Sequence, residues 1–122
     1  MTQKNCIFCK IINGEIASYN IFEDNYTIAF LDRFPISLGH TLVIPKVHIG
    51  RIEELNQKET VALFSTVQKI VGPILHSFDS SSSTIGINDG KDAGQVIPHI
   101  HVHIVPRSEG DDGGNIHSIM NK

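Results

Sequence analysis

In the stretch "VIPHIHVHIVPR", His99, His101 and His103 alternate with Ile100, Val102 and Ile104. Successive side chains of an extended strand point to opposite faces, so this spacing predicts three imidazoles on one face and three β-branched residues packed inward. Imidazole has an unperturbed pKa of about 6.5 and is mostly neutral near pH 7, where it serves as nucleophile, general base or metal ligand. A strand rises about 3.3 Å per residue, which puts the Cα atoms of the outer two histidines about 13 Å apart. A zinc ion, whose ligands lie about 2.0 to 2.3 Å away, cannot gather all three. A division of labour is expected, with one outer histidine engaged elsewhere and the inner ones facing a ligand. Two other readings compete: a polar strand face with incidental histidines, and a mononuclear His-x-His metal enzyme drawing a carboxylate from Asp32, Asp89 or Asp92.

The only two cysteines, Cys6 and Cys9, form a C-x-x-C pair. In a reducing compartment this spacing suggests metal or redox chemistry more than a structural staple, with free buried thiols as the remaining alternative.

The elements that must hold these residues follow from periodicity. "CIFCKIINGE" places Ile7, Ile11 and Ile12 at helical spacing before Gly14, predicting a helical turn over 7–13. "SYNIFE" and "YTIAFLD" flank Asp24-Asn25, a pair suited to the positive φ angles of a tight hairpin, and predict strands near 18–23 and 26–31. "RFPISLG" reads as a loop and "HTLVIP" as a third strand closed by Pro45.

From Asn56 the period changes. Val61, Phe64, Val67, Ile70 or Val71, Ile74 and Phe78 recur every three or four residues as one apolar stripe, and Asn56 with Glu59 resembles a capping box. Gly72-Pro73 predicts a kink or an early end to this main helix, because proline deletes a backbone donor and clashes one turn back. "DSSSS" is read as a linker, "TIGIN" as the fourth strand, "DGKDAGQ" as a glycine-bearing loop and "HIHVHIV" as the fifth strand, stopped by Pro106. Strands on both sides of one helix, joined by connections suited to antiparallel pairing, predict an α+β domain.

The 122 residues predict one domain over 1–122, large enough to bury roughly two-thirds of its unfolded surface. A net charge of −3 without a basic cluster argues against polymeric nucleic acid, while leaving open a small phosphorylated ligand held by a few N–H groups and imidazoles. No apolar run approaches the roughly 18 residues that span a bilayer, and "MTQKNCIFCK" is unlike a signal peptide, so no membrane partner is expected and the cytoplasm is the default compartment.

His-Ile-His-Val-His-Ile-Val matches the histidine triad signature. "CIFCKIINGEI", "FEDNYTIAFLD", "GHTLVIPKVHI" and "NDGKDAGQVIPHIHVHIVPR" resemble the Hint-like branch of that family, particularly its bacterial zinc-bearing members. The similarity is strongest over 6–107 and fades in the tail, 108–122. The resemblance implies an α+β fold with a five-stranded antiparallel sheet, one long helix and a short N-terminal helix per protomer, the sheet extended across a homodimer. It implies a purine nucleoside monophosphate or its derivatives as ligand, cleaved at the α-phosphorus by a hydrolase or nucleotidyl transferase.

Carried over by position, His101 resembles the nucleophile that forms a nucleotidyl-imidazole intermediate, and His103 a hydrogen-bond partner of the phosphate. Splitting one displacement into two easier ones is the advantage of such an intermediate. N–H groups of Gly94, Gln95 and Val96 match a loop that stabilises phosphoryl oxygens. Asp32 resembles the ribose-binding acid, with a loop-capping aspartate as the alternative. Phe8, Ile11, Ile16, Phe30 and Leu42 match base-pocket positions that would otherwise read as core, and Asn88 a ligand-contacting position that would otherwise read as a turn.

Cys6, Cys9, His48 and His99 match the ligands of zinc-bearing relatives, implying one structural Zn2+ per protomer in a closed Cys2His2 set. Val96 departs from the branch, standing where a serine assists protonation of an amine leaving group, and weaker phosphoramidase activity is expected from it. His40 is read as either backing the ligand-facing histidines or exposed, and His117 lies where the similarity has faded. A non-catalytic module that binds a purine mononucleotide or a protein partner through the same surfaces is the competing function.

Overall fold

The computed structural model describes residues 3–111. Five strands form one antiparallel sheet in the order β1-β2-β3-β5-β4. They are β1 (Asn20–Glu23), β2 (Thr27–Leu31), β3 (Thr41–Pro45), β4 (Ser82–Gly86) and β5 (Val102–Arg107). A six-residue helix, α1 (Ile7–Ile12), precedes them, and a 21-residue helix, α2 (Gln57–Ser77), joins β3 to β4. The predicted α+β architecture is the one found. Among the described residues no helix is long and apolar enough to cross a membrane.

Both faces of the sheet are covered. On one, Ala29, Val43, Ile100, Val102 and Ile104 meet Leu63, Val67, Ile70 and Ile74 of α2. On the other, Ile28, Phe30, Leu42 and Ile44 meet Cys6, Phe8, Cys9 and Ile11 around α1. Burying a side chain of this size removes enough apolar surface from water to contribute about 1.5 to 3 kcal/mol, so these two layers are the main source of stability. The alternation around the histidines is therefore real: Ile100, Val102 and Ile104 point toward α2, and the imidazoles take the α1 side.

The capping box on α2 is present, with Asn56 Oδ1 accepting the Glu59 N–H and Glu59 Oε1 accepting the Asn56 N–H, each at 2.8 Å. The buried face of α2 is rotated from the predicted stripe. Leu63 and Thr66 are buried, whereas Val61 and Phe64 are exposed, and Thr66 hydrogen-bonds Thr27 across the layer at 2.7 Å. Nor does the helix end at Gly72-Pro73. Both residues and Lys69, whose carbonyl the proline deprives of a donor, lie on the solvent side, where that carbonyl is open to solvation, while Ile70 and Ile74 keep the inner face packed.

Three more expectations are corrected. The hairpin turn uses no positive φ at Asp24 or Asn25, since Asp79 is the one non-glycine residue with φ above zero among those described. Instead Asp24 Oδ1 accepts the N–H groups of Tyr26 and Thr27 at 2.8 and 2.9 Å, an Asx-type turn. The serine segment is not all linker, because β4 begins at Ser82 and ends at Gly86, one pair of registers earlier than "TIGIN" implies. Finally, β5 starts at Val102 and passes through Pro106, which pairs with Ser83 beyond the last β3 partner of the strand, where one flank of the ladder is open. His99 and His101 thus sit on the irregular segment leading into β5, and His103 within it.

Candidate active site and metal centre

Backbone carbonyls and amides dictate which nitrogen of each imidazole carries the proton. His99 Nε2 lies 2.8 Å from the Pro45 carbonyl and His101 Nδ1 lies 2.8 Å from the His99 carbonyl. A carbonyl oxygen only accepts, so both ring nitrogens are N–H donors. In their neutral forms His99 therefore has a free lone pair on Nδ1 and His101 one on Nε2. His101 Nε2 has no hydrogen-bond partner among the described residues, and every fully buried polar side-chain atom there has one, so this nitrogen opens to solvent.

His40 sets the third. It is buried, and its Nδ1 accepts the Ile36 N–H at 3.0 Å, which leaves the proton on Nε2. That nitrogen is 2.9 Å from His103 Nδ1 and 3.4 Å from Asp32 Oδ2. Donation to His103 Nδ1 places the His103 proton on Nε2, converting it into a donor on the side away from His40. Burial keeps all of these rings neutral. It pushes the pKa of His99 and of His103 down to about 4, with neighbouring imidazoles adding to the effect. It also lowers His101 and His40, against the pull of Asp32 on both.

A cavity of about 610 Å3 opens on this face, lined by Phe8, Ile11, Phe30, Leu42, Asp32, His101 and His103 among others. Its walls are mainly apolar, and Asp32 with the two histidines supplies polar groups at one side, the pattern of a small-molecule site. Asp32 caps its loop, with Oδ1 accepting the Phe34 N–H at 3.0 Å, while Oδ2 lies 3.4 Å from His40 Nε2.

Several predicted residues are elsewhere. Ile16 packs against the α1 core layer, Asn88 is exposed, and neither lines the cavity. The Gly94 and Gln95 N–H groups are already bonded to the Lys91 and Gly90 carbonyls at 3.0 and 3.1 Å, so of the three loop amides only that of Val96 has no partner among the described residues. The Gln95 side chain turns inward as a tether. Its Oε1 accepts the Gly90 N–H at 2.7 Å, and its Nε2 donates to the carbonyls of Gly50 and Ile97 at 2.8 and 3.0 Å. Val96 itself is 89% exposed.

Cys6, Cys9, His48 and His99 converge with all four ligand atoms within 4.8 Å of one another. Their Sγ···Nδ1 separations are 3.4 Å (Cys6–His99), 3.3 Å (Cys9–His48) and 3.6 Å (Cys9–His99). A tetrahedral zinc with Zn–S near 2.3 Å and Zn–N near 2.05 Å has S···N edges of roughly 3.5 Å, so the donor set fits that ion in type and spacing. The His99 tautomer fits as well, with Nε2–H held by a carbonyl and Nδ1 free to ligate.

Asp32, His40 and His103 form a second cluster with ligand atoms this close. Here the tautomer is wrong. His40 Nδ1 is an acceptor, so His40 Nε2 carries a proton and has no lone pair to offer, and the cluster is a hydrogen-bonded network. Of the carboxylates named for a His-x-His metal enzyme, Asp89 is committed to the Ile52 N–H at 2.8 Å and to Arg51 at 3.6 Å.

Residues 13–110 match the family model of the HIT domain. The chain belongs to the HIT family. It is 45% identical over 106 residues to an uncharacterized HIT-like protein of Methanocaldococcus jannaschii, covering 87% of this chain and 81% of that one. It is 42% identical over 109 residues to the adenylylsulfatase HINT3 of Arabidopsis thaliana, covering 89% of this chain and 55% of that one. Among solved structures, a HIT family protein from Bacillus anthracis superposes with a TM-score of 0.87 at 42% identity, over 93% of this chain and 81% of that one. A zinc-bound histidine triad family protein from Mycobacterium smegmatis gives 0.85 at 35% identity, over 90% and 80%. A hypothetical histidine triad nucleotide-binding protein from Sulfolobus tokodaii gives 0.84 at 42% identity, over 87% and 71%.

Of the two readings left open for His40, the structure supports the one in which it backs a ligand-facing histidine, while the sequence reading of this HIT chain missed the inward turn of Gln95 and the cavity-lining Tyr19, Arg33 and Phe34. Arg33 and Phe34 lie in the loop "RFPISLG", where no pattern marks them, and Tyr19, within the strand expected near 18–23, precedes β1 as found.

Proposed function

We propose that this HIT protein is a nucleotide hydrolase or nucleotidyl transferase acting at the α-phosphorus of a purine nucleotide derivative. The observation that carries the reading is the state of His101, with Nδ1–H spent on the His99 carbonyl and Nε2 bearing a lone pair at the cavity. The purine enters the apolar end formed by Phe8, Ile11, Phe30 and Leu42, and the ribose hydroxyls donate to Asp32. His101 Nε2 attacks phosphorus, the bond to the leaving group breaks with its electron pair, and a nucleotidyl-imidazole results. A water then attacks the same phosphorus, loses a proton, and returns His101 to its starting form with release of the mononucleotide. The His103 Nε2–H and the Val96 N–H donate to the phosphoryl oxygens as charge builds.

Cys6, Cys9, His48 and His99 would hold one structural Zn2+ per protomer, which supplies a cross-link between the N-terminal segment and the triad. A closed set of four ligands leaves no coordination position for substrate. A second copy of the chain continues the sheet at β4, an edge strand, beside the exposed Ile85 of β4 and Val61 and Phe64 of α2. This homodimer operates in the cytoplasm.

Val96 offers an N–H but no side-chain proton to a leaving group. Substrates whose leaving group departs as a stable anion, such as a sulfate, suit the site better than phosphoramidates, and the adenylylsulfatase name of one relative agrees with that.

The deciding experiment is His101→Ala. Turnover of adenylyl sulfate is expected to vanish while AMP binding and the thermal midpoint stay close to those of the parent. Turnover that survives the substitution removes the proposal and leaves the pocket as a mononucleotide sensor.

A further inference from the structure

The proposed function gives α1 a wall of the pocket and the metal centre a purely structural part. The contacts between them say more. Phe8 lies between Cys6 and Cys9, is 4% exposed, and lines the cavity. Its ring also meets both histidines edge to face, His99 at 5.8 Å between centroids and 82°, and His101 at 5.0 Å and 75°. On its remaining side it meets Phe30 at 5.6 Å and 63°. One aromatic ring is thus shared by the metal centre, the base pocket and the nucleophile.

A second link runs through the backbone. His99, whose Nδ1 faces Cys6 and Cys9, presents its own carbonyl to His101 Nδ1. Any shift of His99 moves the acceptor that fixes the tautomer and the aim of His101.

What anchors these links is not α1 itself. Helices shorter than about 12 residues are marginal in water, and α1 has six. Its N-cap is the Cys6 sulfur, which accepts the Cys9 N–H at 3.4 Å. The cap and the first turn are therefore built from the same two cysteines that face His48 and His99. If the cluster opens, α1 loses its ties to His48 and His99 and is left with its apolar packing alone, and Phe8, set between the two cysteines, loses its fixed place against the two histidine rings.

From this geometry we infer that Phe8 and His99 are positioning residues, which make the aim of His101 depend on the integrity of the Cys6-Cys9-His48-His99 cluster. The inference rests on the proposed role of His101, and its test is chosen to separate the two. The first measurement is 15N–1H spectroscopy of the imidazole rings in the resting protein, loaded with zinc and then stripped by a chelator. Stripping is expected to collapse the single Nδ1–H tautomer of His101 toward a mixture and to broaden its signals, and added zinc to restore them. This readout involves no turnover, so it stands whether or not the chain is an enzyme.

The second measurement is Phe8→Leu, which keeps an apolar wall but removes the edge contacts. A residue that served only as base-pocket wall would raise KM alone. A positioning residue also lowers the single-turnover rate of His101 nucleotidylation at saturating adenylyl sulfate, here by about tenfold. Unchanged His101 ring signals on metal removal, together with an unchanged saturating rate in Phe8→Leu, would overturn the inference. If no turnover is found in the parent protein, the proposed function falls and the spectroscopic result alone decides this one.

Discussion

His40 Nε2 lies 2.9 Å from His103 Nδ1, and the Ile36 N–H occupies the far side of the His40 ring. This pairing makes His103 a donor toward the cavity, so the first prediction concerns His40. Replacing it by alanine removes one hydrogen bond and frees the His103 tautomer. A hydrogen bond of this kind is worth about 1 to 1.5 kcal/mol, which corresponds to about a tenfold loss in rate. Steady-state kinetics of His40→Ala should show that loss chiefly in kcat, and a rate equal to the parent would mean that His103 holds its tautomer unaided.

Acid should destabilise the protein through the same rings. His103 titrates near 4 in the fold, while a histidine in the unfolded chain titrates near 6.5. Between those values the unfolded state binds the proton and the native state does not. The contribution of His103 is therefore fully present above about pH 6.5 and is lost as pH falls toward 4, at up to about 1.4 kcal/mol per pH unit. His40, also lowered by burial, acts in the same direction. Urea unfolding at pH 7, 6 and 5 checks this, and a His103→Gln variant should show a shallower dependence than the parent. Equal slopes would show that the ring is not held neutral.

Gly39 couples the far end of α2 to the site. It has φ +86, and a Cβ built there would stand 2.5 Å from the Phe78 ring, immediately before His40 in the chain. Gly39→Ala combines a left-handed backbone with an overlap against a ring at the helix terminus, and is expected to lower stability by about 1 to 3 kcal/mol. Thermal melts should place it several degrees below the parent. Adding Phe78→Leu should recover the part due to overlap and leave the part due to φ.

The Gln95 tether gives a prediction of another kind. Its amide makes three hydrogen bonds that hold residues 90 and 97 against residue 50, while the neighbouring Val96 N–H points free. Gln95→Ala should loosen that loop, raising the dissociation constant for AMP by about tenfold and accelerating hydrogen exchange across 88–97. Exchange rates matching those of the parent would show that the loop is held by other contacts.

Much of this arrangement was legible in the chain. The alternation of His99, His101 and His103 with Ile100, Val102 and Ile104 predicts the partition between the two faces, and that partition holds even though β5 begins only at Val102. The capping box at Asn56 was equally plain. What sequence could not give depended on long-range neighbours. Pro106 can stay in β5 because β3 ends beside it, and Pro73 can stay in α2 because its turn faces water. The tautomers were out of reach for the same reason, being set by Pro45, His99 and Ile36 backbone groups that the fold alone brings near. His117 lies outside the described residues.

The apolar layer under α2 and the apolar layer under α1 have no residue in common, although a single sheet separates them. The layer under α2 packs without reaching the cavity, whereas Phe30 and Leu42 of the other layer are at once buried packing and cavity wall. Substitutions at Leu63 or Ile70 can therefore be selected for robustness without touching the cavity, while any change at Phe30 or Leu42 alters robustness and recognition together, so only the first of the two is free to drift alone.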